Sequence, residues 1–175
     1  MMHAKLKKDY LQKELMRMRI RPARKDDDFQ AIAQIYLTTW RATYAGLFDQ
    51  AFLAGLTTDM WHPEKRWQQT VVAETDEGRI VGVCAYGASR TPTLANMGEV
   101  YSIYILPAFQ HLGLGQQLMA KALAQLKRQY RTAFLWVLRD NVSAVRFYET
   151  LGFKLTGTTR DDHDCVEQVF IMQLI

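Results

Sequence analysis

The chain has 175 residues, 49% hydrophobic and 23% charged, which is too apolar for a disordered or fibrous protein and enough for a sizeable core. Lysine and arginine outnumber aspartate and glutamate by 22 to 18; the net charge of +4 favours an anionic ligand, and the dispersed basic residues point to no specific nucleic acid partner. Cys84 and Cys165 lack CxxC spacing and the apolar runs fall short of the roughly 18 residues of a membrane span, so a soluble cytoplasmic protein without disulfides or a metal site is expected.

Residues 1–17 are lysine-rich, with Leu6, Leu11 and Leu15 at loosely helical spacing, and read either as a basic amphipathic helix or as a frayed extension. A single domain is expected over 18–175. MRIRPA from Met18 reads as a short strand stopped by Pro22, and Asp26, Asp27 and Asp28 suit a helix N-terminus, where carboxylates complement exposed N–H groups. Phe29, Ile32, Ala33, Tyr36 and Leu37 then define a buried helical face. From Thr38 to Gln69 three tryptophans lie among Gly46, Gly55 and Pro63, an irregular aromatic-lined segment of short helical pieces.

TVVAET and RIVGVCAYG, separated by Asp76, Glu77 and Gly78, predict an antiparallel hairpin. A loop over 88–98 precedes EVYSIYIL, a strand apolar on both faces and therefore central. In the following helix Leu118, Met119, Ala122, Leu123 and Leu126 form the apolar stripe, with Lys121, Lys127 and Arg128 facing water. TAFLWVL is a second central strand, parallel to the first, because a crossover helix lies between them. A short helix near 143–151 ends at Gly152 in a glycine cap with Phe153 beyond it, and FKLTGTT and VEQVFIMQLI complete the sheet. Between those last strands Arg160, Asp161, Asp162, His163 and Asp164 read as a solvated turn or as an attractor of cationic amines.

Two stretches carry the candidate chemistry. In FQHLGLGQQL, Gly113 and Gly115 precede a helix, where unpaired N–H groups and partial positive charge can meet a phosphate. It is not a dinucleotide fingerprint, since Leu118 stands where a third small residue belongs. Nor is it a P-loop, since Gln116 and Gln117 replace the lysine and hydroxyl. Taken alone it is either a phosphate cradle or a plain strand-to-helix turn. In DNVSAVRFYETLGF, Asn141 and Tyr148 are seven apart and so project within about 20° of one direction on a helix. Each also has a plain reading, Asn141 as a cap and Tyr148 as a packed aromatic.

In combination, EVYSIYILP, then Gln110-His111-Leu112-Gly113-Leu114-Gly115 in a Q/R-x-x-G-x-G/A pattern, then DNVSAVRFYETLGF in an N-x-x-A-x-x-x-Y-x-x-x-G-F pattern, resemble the GCN5-related N-acetyltransferase (GNAT) family over about residues 18–175. The resemblance implies an α/β (α+β) fold: a mixed, mostly antiparallel sheet of six to seven strands flanked by helices, with a splayed central parallel pair. It implies transfer of an acetyl group from acetyl-CoA, as cosubstrate, to a primary amine of a small molecule, polyamine or peptide. The alternative is a non-catalytic acyl-CoA binding module. By the same resemblance Gln110, His111, Gly113, Leu114, Gly115 and Gln116 would hold the pyrophosphate, Ile103 and Ile105 would pair with the pantetheine arm through their main chain, and Asn141 would bond that arm from the other side.

An alkyl amine with a pKa of about 10.4 must lose a proton to attack a thioester, and a departing thiol of about 8.5 can be reprotonated by a phenol of about 10. The resemblance makes Tyr148 the acid and Glu99 the candidate base; Glu99 also reads as a solvated strand-start residue, with a water chain or Tyr104 as substitute base. It also makes the positive end of the Ile105 backbone a site for the developing oxyanion. Cys84 lies in an apolar strand and reads as core, which favours direct transfer over an acetyl-cysteine route. Tyr36, Trp40 and Tyr44, with Arg41, fall where the family builds its acceptor wall. His62 and His111 have no metal-like partners, and exposed sheet edges allow a homodimer.

Overall fold

The computed structural model describes residues 18–162 and 165–174. The basic leader, and His163 and Asp164 of the acidic run, lie outside the described residues. Among these residues seven strands form one sheet in the order β1-β2-β3-β4-β5-β7-β6. The strands are β1 Arg19–Pro22, β2 Thr70–Glu74, β3 Ile80–Ala88, β4 Gly98–Ile105, β5 Thr132–Leu138, β6 Lys154–Asp162 and β7 Cys165–Gln173. β4 and β5 run parallel, whereas β1/β2, β2/β3, β5/β7 and β6/β7 are antiparallel, the mixed and mostly antiparallel sheet that was expected. The parallel ladder registers only Gly98 with Ala133 and Glu99 with Phe134, so the pairing of β4 with β5 ends after Glu99. The helices are α1 Phe29–Thr43, α2 Gln50–Gly55, α3 Leu114–Leu126 and α4 Val142–Thr150. Packing divides the described residues into two compact units, one of those up to Ala85 with Ser102–Lys121 and one of Tyr86–Tyr101 with those from Ala122 onward.

In the first unit the predicted hairpin forms, with β2 buried along its length. Its turn closes through Thr75 N–H to the Arg79 carbonyl at 2.9 Å. Of the three aspartates expected at the start of α1, Asp28 is the cap: its carboxylate accepts from the Ala31 N–H at 2.9 Å. Asp27 turns to Arg21 instead. Ile32 and Ile35 pack with Val72 and Val83, each burial contributing about 2 kcal/mol. Arg21, only 7% exposed, bonds Asp27 at 2.7 Å and Glu74 at 2.6 Å, so its burial is compensated by two carboxylates. Its hydrogen bonds hold the Glu74 carboxyl down at about 2. From Thr38 onward the chain matches the expected short helical pieces, α1 being followed by α2 and three 3-10 turns.

In the second unit β5 pairs with β7 over its whole length, from Thr132–Gln173 to Leu138–Glu167. α4 ends as expected: Gly152 takes a left-handed φ of 94°, its N–H bonds the Glu149 carbonyl at 2.9 Å, and Phe153 beyond it is buried. One expectation is corrected. Arg160, Asp161 and Asp162 do not form a turn but belong to β6, paired with Glu167, Val166 and Cys165. The Arg160 guanidinium bonds Glu167 at 2.6 Å and lies 4.1 Å from the Trp136 ring centroid, so cross-strand pairing keeps a polar segment in the sheet.

Candidate active site

In the first unit the end of β4 presents its main chain in one direction. The Leu106 N–H bonds the Val81 carbonyl of β3 at 2.9 Å. A trans peptide sets the carbonyl of one residue opposite the N–H of the next, so the Ile105 carbonyl points away from β3. Alternation along a strand turns the main-chain groups of Ile103 to that same edge. The Gln110 side-chain amide donates to the Ile105 carbonyl at 2.9 Å, folding the loop back onto the strand end.

The loop then turns left-handed twice, at His111 with φ 59° and at Gly113 with φ 83°. A Cβ built at Gly113 would meet no protein atom within 4 Å, so glycine serves the backbone conformation and leaves the approach open. The first helical bond of α3 runs from the Gln117 N–H to the Gly113 carbonyl at 3.2 Å. The N–H groups of Leu114, Gly115 and Gln116 precede it and fall outside the helical ladder, where they add to the positive end of a 13-residue helix. Gln110 departs from expectation: its N–H bonds the Pro107 carbonyl at 3.3 Å, so it braces the loop instead of offering a donor to a ligand.

Along α1 and the segment after it, rings pack in series. Tyr104 meets Tyr36 at 4.9 Å, Tyr36 meets Trp61 at 6.0 Å, and Trp61 meets Trp40 at 6.4 Å. Trp40 meets Tyr44 at 4.4 Å, Tyr44 meets Phe48 at 5.5 Å, and Phe48 stacks on Phe52 at 5.5 Å. The Trp40 indole N–H donates to the Tyr104 hydroxyl at 2.9 Å, tying this wall to β4. Tyr36 is buried, with its phenol pushed up by desolvation, so it backs the wall; Trp40 and Tyr44 are half-buried and form its surface.

The second unit holds Glu99, Asn141 and Tyr148. Asn141 caps α4, its Oδ1 accepting from the Ala144 N–H at 3.1 Å, a role that leaves the side-chain NH2 as a donor. Tyr148 is 9% exposed and packs on Phe147 and Phe153 at 5.4 and 6.0 Å. Glu99, the sequence candidate for the base, is 2% exposed and its carboxylate is bound by Arg90. Oε1 accepts from Nη2 at 2.6 Å and Nε at 3.1 Å, and Oε2 from the Arg90 backbone N–H at 2.7 Å. Three hydrogen bonds from one residue thus hold this carboxylate.

A family model described as the acetyltransferase (GNAT) family matches residues 29–153, which include the loop, Glu99, Asn141 and Tyr148. The chain belongs to the GNAT family. Among relatives of this acetyltransferase, an N-acetyltransferase described as uncharacterized, YuaI of Bacillus subtilis, is 30% identical over 70% of the chain and 73% of its own length. Another, also described as uncharacterized, from Archaeoglobus fulgidus, is 34% identical over 75% of the chain and 89% of its length. The same fold occurs in the PaiA N-acetyltransferase of Thermoplasma acidophilum, solved in complex with coenzyme A, with a TM-score of 0.70 at 21% identity over 87% of this chain and 97% of that one. The chain is thus an enzyme of the acyltransferase class.

Several residues of this GNAT member escaped sequence reading. Arg90 sits in a polar loop with nothing local to mark it as the partner of Glu99. Trp61 and Phe48 join the wall only because the chain returns across α1. Arg41, grouped with the acceptor wall in the sequence, bonds the carbonyls of Leu53, Ala54 and Leu56 at 3.0, 3.0 and 2.8 Å, clamping the end of α2. Cys84 is fully buried with its thiol pushed up to about 12, as its apolar strand implied, and suits no covalent route.

Proposed function

We propose that this GNAT enzyme acetylates a primary amine by direct attack on the thioester of acetyl-CoA. The observation that carries the reading is the end of β4, whose outward main chain at Ile103 and Ile105 leads into the left-handed loop at the start of α3. Beyond Glu99 this edge lies outside the parallel ladder and would suit the amides of an extended pantetheine arm like an added strand, the Ile105 carbonyl also accepting from the Gln110 side chain. His111, Gly113, Leu114, Gly115 and Gln116 would hold the pyrophosphate, with Gly113 providing close backbone approach and the helix end favourable charge. The Asn141 side-chain NH2 would donate to an arm carbonyl. The bound cosubstrate supplies the activated acetyl group.

Tyr148 Oη would give its proton to the departing sulfur, since a phenol has an ordinary pKa of about 10 and keeps its proton at pH 7. With the Glu99 carboxylate bound by Arg90, we assign the amine proton to a water chain and give Glu99 a positioning role at the last registered pair of the parallel ladder. Tyr36, Trp40 and Tyr44 would form the acceptor wall. The test follows thiol release from acetyl-CoA over an amine panel, for the enzyme and for Tyr148→Phe. Transfer is expected on at least one amine, with kcat reduced about 100-fold or more by Tyr148→Phe and coenzyme affinity kept. Coenzyme binding without release on any amine would overturn the transfer reading; an unchanged kcat in Tyr148→Phe would remove the tyrosine from the mechanism.

A further inference from the structure

We infer that the acceptor is an amine carried on an aromatic or bulky apolar body, an arylalkylamine, in preference to a polyamine. The inference rests on the wall formed by Trp40, Tyr44 and their neighbours being the acceptor side of the proposed reaction. Seven rings run from Tyr104 on β4, through Tyr36, Trp61, Trp40, Tyr44 and Phe48, to Phe52. Tyr36 is buried at 8%, the other rings before Phe52 are half-buried, Phe52 is 42% exposed, and Leu47 and Met60 are exposed beside these rings in sequence. The series therefore starts on the strand whose main chain suits the acetyl carrier and ends in an apolar rim open to solvent.

Of the charged groups next to the rings in sequence, Asp49 and Arg41 are engaged by backbone. Asp49 accepts from the Ala51 and Phe52 N–H groups at 2.8 and 3.2 Å as the cap of α2. Arg41 donates to three carbonyls at the other end of α2, so its guanidinium is fixed away from the role of an anion receptor. Asp59 and Glu64 lie on exposed 3-10 turns. The half-buried rings and exposed Phe52 themselves present aromatic surface and no carboxylate. A single ammonium is attracted by ring faces and an aromatic body stacks on them. A polyamine brings a second or third ammonium that requires a carboxylate partner or continued hydration when drawn onto an apolar wall. The same wall thus favours one cation attached to an apolar group.

The experiment compares 2-phenylethylamine, n-butylamine and spermidine in the thiol-release assay, and repeats the series with Phe52→Ala, an exposed position whose truncation leaves the core intact. Tryptophan fluorescence, to which Trp40 and Trp61 contribute two of the four indoles, reads amine binding without catalysis. 2-Phenylethylamine is expected to exceed spermidine in kcat/KM by about 10-fold or more, and Phe52→Ala to raise its KM about 5- to 10-fold while the Kd of coenzyme A stays constant. Spermidine preferred, or no change of KM in Phe52→Ala, would overturn the inference and leave acetyl transfer standing. A fluorescence response to 2-phenylethylamine that weakens in Phe52→Ala, with no amine turned over, would keep the wall and refute transfer. Neither response nor turnover would refute both.

Discussion

Replacing Gly113 with asparagine separates the two jobs that this glycine performs. Its φ of 83° is left-handed, a region costing an ordinary L-residue about 1–2 kcal/mol but tolerated by asparagine. A Cβ there meets no protein atom within 4 Å, so the new side chain creates no internal clash. Gly113→Asn should therefore fold with stability within about 0.5 kcal/mol of the parent, whereas Gly113→Val should lose about 1–2 kcal/mol through backbone strain. Toward the coenzyme the expectation differs. A side chain standing in the phosphate approach would remove at least one charge-assisted backbone hydrogen bond, worth about 1.5–3 kcal/mol, or about 10- to 150-fold in Kd. Urea unfolding gives the stability of each variant, and calorimetric titration with coenzyme A gives the affinity. Near-parental stability together with unchanged affinity in Gly113→Asn would refute the phosphate cradle and return this loop to a plain strand-to-helix turn.

Glu99→Gln tests the base assignment: replacing a buried carboxylate bound by Arg90 should cost about 1–3 kcal/mol of stability. The pH dependence of kcat should persist; full stability with turnover abolished would restore Glu99 as the base. The Glu74 carboxyl, held at about 2 by the Arg21 hydrogen bonds against an ordinary 4.5, should stabilise the fold above pH 4.5 and lose that contribution as pH falls toward 2. Urea midpoints measured from pH 6 to pH 2.5 should then fall less steeply for Glu74→Gln than for the parent; parallel profiles would contradict the linkage.

Much of the fold was legible because its signals are local. The Asp28 and Asn141 caps, the left-handed Gly152 and the turn at Gly78 each answer a backbone need within a few residues, and local sequence encodes such needs. The motif around Gly113 was legible for the same reason, since loop and helix start are contiguous. Ion-pair partners were not. Nothing near Glu99 in sequence indicated that Arg90 would supply three donors to it, and the acidic character of Arg160–Asp162 suggested a turn where Glu167 and Trp136 hold a strand.

By itself the sequence determined a mixed sheet with a parallel pair and the helix caps, and it named candidate residues for acetyl transfer. Only the tertiary structure decided which polar groups of the chain are engaged by one another. Whether a carboxylate, an amide or a ring is engaged depends on groups that reach it from elsewhere in the chain, as Arg90 reaches Glu99, Gln110 reaches Ile105 and Arg41 reaches Leu53–Leu56. Helices and turns follow from interactions a few residues long, whereas the commitment of a buried polar group is settled only when distant segments pack and must satisfy one another's hydrogen bonds.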